Sequence, residues 1–197
     1  VFRNTELIYN NDLAHVVNAL GYRAILAEGV SGVLTYRSPN FLYTPPGTPG
    51  LVLLLRNHQL SDDISFRFCN ESWSEWPLTA GKFAGWINAV NGNGYTVNLF
   101  MDYETFGDRQ RPDSGIFEFL SHMPGEVLKL PDTGFKLPSE LIEAYPISGE
   151  YDVPHMISWA DSERDLSAWL GNAMQSNALH ELYRLERDVK STGDAQL

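Results

Sequence analysis

Tyr22-Arg23-Ala24-Ile25-Leu26-Ala27 runs into Glu28, and Thr96-Val97-Asn98-Leu99-Phe100-Met101 runs into Asp102. Both runs read as strands, and each delivers a carboxylate at its C-terminal end. Leu51 to Leu55 is five consecutive aliphatic residues, the pattern of a strand covered on both faces. Upstream of the Glu28 strand, Asn11 or Asp12 can cap a helix with Leu13, Val16, Val17 and Leu20 on its apolar face, and Gly21 closes it. Upstream of the Asp102 strand, Lys82 to Val90 predicts a helix with Phe83, Trp86, Ile87 and Val90 on one side, followed by the turn Asn91-Gly92-Asn93-Gly94. Helices alternating with buried strands predict an α/β fold with a mainly parallel sheet.

The remaining segments are read in the same way. Gly29 to Gly50 is a long loop whose Pro45-Pro46-Gly47-Thr48-Pro49-Gly50 core cannot be helical, and loops of that length tend to be functional. Ile64-Ser65-Phe66-Arg67-Phe68 alternates and predicts a further strand, followed by Asn70, Trp73 and Trp76. Ile116 to Met123 predicts a short helix, and a Pro- and Gly-rich stretch from Pro124 to Pro154 holds another near Pro138 to Tyr145. A last helix is expected from Asp161 or Ser162 towards Lys190, with Leu166, Trp169, Leu170, Met174, Leu182, Leu185 and Val189 on its packing side and a frayed tail from Ser191. These boundaries divide the chain into a core unit, residues 1–160, and a C-terminal helical segment, residues 161–197, packing on it.

The chain has 197 residues, enough for one domain with a real core but short of the about 250 residues of a complete (β/α) barrel. Fourteen basic against 25 acidic side chains give a formal net charge of −11, which repels phosphate backbones and anionic lipid heads. Nucleic acid and membrane are therefore not expected as partners, whereas neutral polyhydroxylated molecules are compatible. Cys69 alone cannot form an internal disulfide and reads as a small buried hydrophobe. No apolar stretch approaches a membrane span, and Val1-Phe2-Arg3-Asn4 is not a secretory signal, so a cytoplasmic location is expected. A start without Met, almost directly on a helix and a strand, suggests that an N-terminal part precedes Val1.

His15, His58, His122, His155 and His180 form no i, i+4 pair, which argues against a catalytic metal and against a metal-dependent deacetylase. No nucleophile elbow, phosphate loop or dinucleotide fingerprint occurs, and no cofactor is implied. Carboxylate chemistry remains. Two acids on neighbouring strand ends can share one substrate, one as nucleophile or base and one as acid, the arrangement that cleaves glycosidic bonds. In Asp102-Tyr103-Glu104 the acids fall at i and i+2, on one face if the strand continues, so Glu104 can compete with Asp102 or bind beside it. Trp73, Trp76 and Trp159 lie in loop-like segments, free to stack on a sugar face or to plug the core; Trp86 and Trp169 sit at helical spacing and read as core.

Phe2-Arg3-Asn4-Thr5-Glu6-Leu7-Ile8-Tyr9, Ala24-Ile25-Leu26-Ala27-Glu28-Gly29, Leu60-Ser61-Asp62-Asp63-Ile64, Trp73-Ser74-Glu75-Trp76-Pro77, Met101-Asp102-Tyr103-Glu104-Thr105-Phe106-Gly107 and Ile157-Ser158-Trp159-Ala160-Asp161 resemble glycoside hydrolase family 57, in its α-amylase-like subgroup. The resemblance extends over nearly the whole chain and implies the C-terminal part of a catalytic domain, an incomplete (β/α)7 TIM-like barrel. It implies a retaining mechanism on α-1,4-glucans or maltooligosaccharides, with Glu28 as nucleophile and Asp102 as general acid/base. It adds Trp73, Trp76, Glu104, Phe106 and Trp159 as substrate-binding candidates. Glucanotransfer, branching and a non-catalytic carbohydrate-binding role stay open. Many family members carry a basic residue after the nucleophile, where this chain has Gly29. An acid that donates a proton near neutral pH needs a raised pKa, so Asp102 is expected to be the more upward-shifted of the two carboxyls.

Overall fold

The computed structural model of the chain describes residues 1–193. Its sheet has five strands, β1 (Phe2–Arg3), β2 (Ala24–Glu28), β3 (Leu42–Thr44), β4 (Val52–Arg56) and β5 (Ile147–Glu150), in the order β1-β2-β4-β3-β5. Strands β1, β2 and β4 are mutually parallel, β3 runs antiparallel to β4, and β5 is parallel to β3. Around the sheet lie α1 (Asn11–Ala19), α2 (Ser31–Leu34), α3 (His58–Asp62), α4 (Ala80–Asn88), α5 (Ile116–Leu128), α6 (Pro138–Ala144), α7 (Ser167–Leu170) and α8 (Ala173–Ser191). The mixed α/β class with a mainly parallel sheet is as expected, and the long loop after Glu28 contains both α2 and β3.

Alternation along the strands divides the core into two layers. Ile25, Ala27, Leu53 and Leu55 face Tyr9, Ala14, Val17 and Tyr151, while Ala24, Val52 and Leu54 face the other way, onto Leu42 and Leu141. By the same alternation Glu28 and Arg56 belong to the second face. Helix α1 is capped by Asn10 rather than Asn11 or Asp12, the Asn10 side chain accepting from the Leu13 N–H at 2.9 Å. It turns small Ala14 towards the sheet together with Val17, and this rotation leaves Val16 and Leu20 exposed instead of in the core.

The strand expected before Asp102 is reduced to one parallel bridge, Arg56 with Asn98. Strand β3 already pairs with Leu53 and Leu54, so only the last turn of that edge is free. There the Asn57 N–H donates to the Asn98 carbonyl at 2.9 Å and Asn98 Nδ2 donates to the Leu55 carbonyl at 3.0 Å. The segment thus still carries Asp102 past the C-terminal end of β4.

Ile64 to Phe68 is not a strand. Asp63–Arg67 is a π-helical turn that continues α3, and Leu60, Ile64 and Phe68, four residues apart, pack against Phe83, Ile116 and Phe119. The alternation Ile64, Phe66, Phe68 competes with this four-residue spacing, and the latter wins because α4 and α5 offer an apolar surface on one side only. Cys69, expected to be buried, is exposed. Helix α5 extends past Met123 and through Pro124 to Leu128. The amide lost at Pro124 is offset by burial of Val127 one turn on. The last helix is split, with Asn172 and Gln175 forming a capping box that starts α8. Among its described residues none is buried, and Met174, Leu182, Leu185 and Val189 of the expected packing side are exposed. Ser191 closes α8; residues 194–197 of the expected frayed tail lie outside the described residues. Among those described, no helix is long and apolar enough to cross a membrane.

The π-helical turn has a direct stability test. Ile64 is 2% exposed and Phe66 57% exposed, whereas a strand would place both on one face. Urea unfolding should therefore show Ile64→Ala costing about 2–4 kcal/mol and Phe66→Ala less than about 1 kcal/mol. Equal losses would restore the strand.

Candidate active site

Glu28 ends β2 directly opposite Arg56, its register partner at the end of β4. Its carboxylate is completely buried, with Oε1 accepting from the Gly29 N–H at 2.8 Å and Oε2 from Arg56 Nη1 at 3.0 Å. A Cβ at position 29 would stand 2.5 Å from the Arg56 carbonyl oxygen, so the chain needs glycine there. Arg56 also donates from Nη2 to Asp62 Oδ1 at 2.5 Å and from Nε to the Phe100 carbonyl at 2.7 Å. Asp62 closes α3, which is begun by the Asn57 side chain accepting from the Leu60 N–H.

A second guanidinium reaches the same two acids. Arg164 lies 3.5 Å by Nη1 from Glu28 Oε2 and 3.3 Å by Nη2 from Asp62 Oδ2. It comes from the segment after Ile157, which pairs antiparallel with Tyr9 and hangs on Glu6 through the Trp159 N–H, the Ser158 hydroxyl and Trp159 Nε1, the last at 2.8 Å. The Trp159 ring is flanked by the guanidinium groups of Arg3 and Arg56 at 5.3 and 5.4 Å. Glu6, Asp161 and Arg164 all have left-handed backbones, with φ of 50, 42 and 56°. Such conformations persist only where the surroundings enforce them, and here they gather at one rim.

That rim encloses a cavity of about 220 Å³ lined by Arg56, Asp62, Ser65, Asp102, Trp159 and Arg164, among others. Its size falls below the roughly 300–1,000 Å³ of pockets for drug-sized ligands, so it suits one part of a substrate. Ser65 presents a buried hydroxyl without a hydrogen-bond partner. Glu28 is not itself on this wall, but the two arginines that touch it are.

Asp102 lies on the cavity, its side chain 39% exposed, with Arg109 Nη2 at 3.4 Å. The strand does not continue beyond it; Tyr103–Thr105 is a 3₁₀ turn, and Glu104 meets Asp102 through Arg109, 2.7 Å from Glu104 Oε1. Among the substrate-binding candidates, Trp159 shares the cavity with Asp102. Trp73 packs edge-to-face on Trp86 and borders a separate cleft of about 660 Å³ with His58, Asp62, Asp63 and Glu75. Trp76 borders a third depression with Glu118 and His122 of α5, and Phe106 packs against the cluster around Phe83. Among the described residues no three His, Cys, Asp or Glu side chains gather as a metal site.

Burial pushes the Glu28 carboxyl above its usual range, opposed by the charges of Arg56, Arg164 and His58 and by the Gly29 N–H. The raised carboxyl was expected at Asp102, and the complete burial of Glu28 is what sequence alone could not supply. Arg56, Asp62, Arg109 and Arg164 were missed as site residues. For Arg56 a signal existed, since a charge closing a five-residue aliphatic strand must find a buried partner.

Removing Arg56 leaves two buried carboxylates with Arg164 alone. Arg56→Met should cost about 3–5 kcal/mol near neutral pH by chemical denaturation. A carboxyl raised in the folded state contributes stability fully below its unfolded pKa and loses it as pH rises through the folded value. Loss of Arg56 raises Glu28 further, so the deficit should shrink in acid. A deficit that grows as pH falls would contradict the assignment.

The chain is 45% identical over 196 residues, 98% of its length, to a Methanocaldococcus jannaschii protein named "Putative alpha-amylase", and it spans 41% of that protein. No solved structure matches the chain. The model of glycosyl hydrolase family 57 matches residues 1–154, and the chain belongs to that family.

Proposed function

We propose that this chain forms part of the catalytic domain of a retaining α-glucan hydrolase, an incomplete (β/α)7 barrel in which Glu28 is the nucleophile and Asp102 the general acid/base. The observation that carries the reading is Arg56, which bonds Glu28 on one side and the Phe100 carbonyl, two residues before Asp102, on the other. That link supports reading both carboxyls as parts of one site at the C-terminal end of the parallel strands, the end that carries chemistry in barrels. In the first step a Glu28 oxygen forms a bond to the anomeric carbon as the glycosidic bond breaks. The electron pair leaves with the departing oxygen, which takes the Asp102 proton. In the second step Asp102 takes a proton from water, and that water's oxygen displaces Glu28. Trp159, with two guanidinium groups over its ring, lines the same cavity and would contact a sugar there. The relative's name supports an α-glucan as substrate.

A second reading, a carbohydrate-binding protein without turnover, is favoured by the burial of Glu28 and the engagement of both its oxygens. Glucanotransfer and branching would use the same first step with another acceptor.

Maltooligosaccharides and sodium azide, supplied to the longest natural polypeptide that carries this chain, separate the readings. Glu28→Gln should reduce hydrolysis by several orders of magnitude with glucan binding retained. Asp102→Ala with azide should yield the α-glycosyl azide, whereas Glu28→Ala should yield the β-anomer. Binding without hydrolysis in the unaltered protein favours the second reading, and exchanged azide anomers would exchange the two roles.

A further inference from the structure

We propose that Asp62 is a positioning residue that takes over the Arg164 guanidinium when Glu28 acts, so that Glu28 is uncovered for attack without leaving both arginines uncompensated. This rests on the reading of Glu28 as the nucleophile. The geometry is a closed ring of four charges, in which each arginine touches both acids. Arg56 is the tight member, at 3.0 Å from Glu28 and 2.5 Å from Asp62. Arg164 is the loose one, at 3.5 and 3.3 Å, with its side chain 25% exposed against 4% for Arg56. Arg164 also donates from Nη1 to the Trp159 carbonyl at 2.7 Å, which gives the same guanidinium an anchor away from Glu28.

The need for such a device follows from charge. Glu28 has no exposed surface, whereas the two arginines that bond it line the cavity. When Glu28 becomes an ester its negative charge passes into the new bond. A buried and a half-buried guanidinium facing no carboxylate would both be left uncompensated in a site with little water to solvate them. With Asp62 present, one carboxylate remains between them and only a single positive charge is uncompensated. Asp62 accepts from both arginines, and its influence on Glu28 passes through them.

The groups facing Glu28 are Arg56 from β4, Arg164 from the segment after Ile157, His58 from α3 and the Gly29 N–H; the Tyr151 hydroxyl donates to the Glu28 backbone carbonyl at 3.2 Å. Asp62 stands beyond the arginines, and Asp102 lies across the same cavity. Against that background Asp62 and Arg164 act on Glu28 with opposite sign. Without Asp62 both arginines turn to Glu28 and favour its ionised form; without Arg164 the buried carboxylate loses one of its two cations.

The experiment is a ¹³C NMR titration of the Glu28 side-chain carboxyl, in protein with labelled glutamate and with Glu28→Gln to assign the signal. It needs no turnover, so it stands apart from the hydrolysis test above. Asp62→Asn should lower the Glu28 midpoint by about one pH unit or more, and Arg164→Met should raise it by a similar amount, with Arg164→Lys restoring most of that shift. Shifts in the same direction, or none, overturn the proposal even where Glu28 proves to be the nucleophile. Should Asp62→Asn not fold, Arg164→Met decides alone, and an unmoved midpoint there overturns the proposal. Where turnover is present, Asp62→Asn should lower kcat at least tenfold with less than a threefold change in KM. A change confined to thermal stability would assign Asp62 a structural role only.

Discussion

Burying a carboxylate at the end of a parallel strand costs far less when a cation is buried with it, and Glu28 and Arg56 form such a pair across β2 and β4. Much of the upper rim follows from this one contact. Arg56 has more donors than Glu28 can satisfy, and the surplus fixes Asp62 at the end of α3 and the Phe100 carbonyl before Asp102. The segment from Ile157 then closes over the pair, bringing Arg164 and the Trp159 ring. Removing the pair would leave the β2–β4 sheet intact through Leu53, Leu54 and Leu55 but would remove the organising contact from the rim.

The lower part of the molecule has a different logic. There the apolar sides of the sheet are covered by α1 on one face and by Leu141 of α6 on the other, while α3, α4 and α5 form a cluster of their own around Phe83. Aromatic edges run through that cluster from Phe68 and Phe119 to Phe83, Trp86 and Trp73. Trp73 thus belongs as much to the core as to the cleft it borders, which answers the ambiguity that sequence spacing left open.

How much could be read from sequence depended on the range of the interaction. Strands β2 and β4, and helices α4 and α6, were legible because their apolar patterns are local. The Asp63–Arg67 turn was not, because periods of two and of four both fit Ile64 and Phe68, and only the surface offered by α4 and α5 separates them. Glu28 and Asp102 could be singled out from their places after apolar runs. Their arginine partners could not, since Arg56 becomes a partner only through strand register and Arg164 only through a contact that spans most of the chain. The strand before Asp102 shrank to one bridge because β3 had taken the edge it would have used.

The left-handed backbones of Glu6, Asp161 and Arg164 carry a consequence for thermal adaptation. Each costs of order 1–3 kcal/mol relative to a relaxed conformation, and glycine would relieve much of that strain. Yet each of these positions lines the cavity rim, Glu6 holding Trp159 and Arg164 holding Glu28. The substitutions that would most relieve the backbone would thus strip the rim of its side chains. A lineage adapting this chain to higher temperature would gain its stability elsewhere, as in the exposed apolar side chains of α8, and leave the strained rim as it stands.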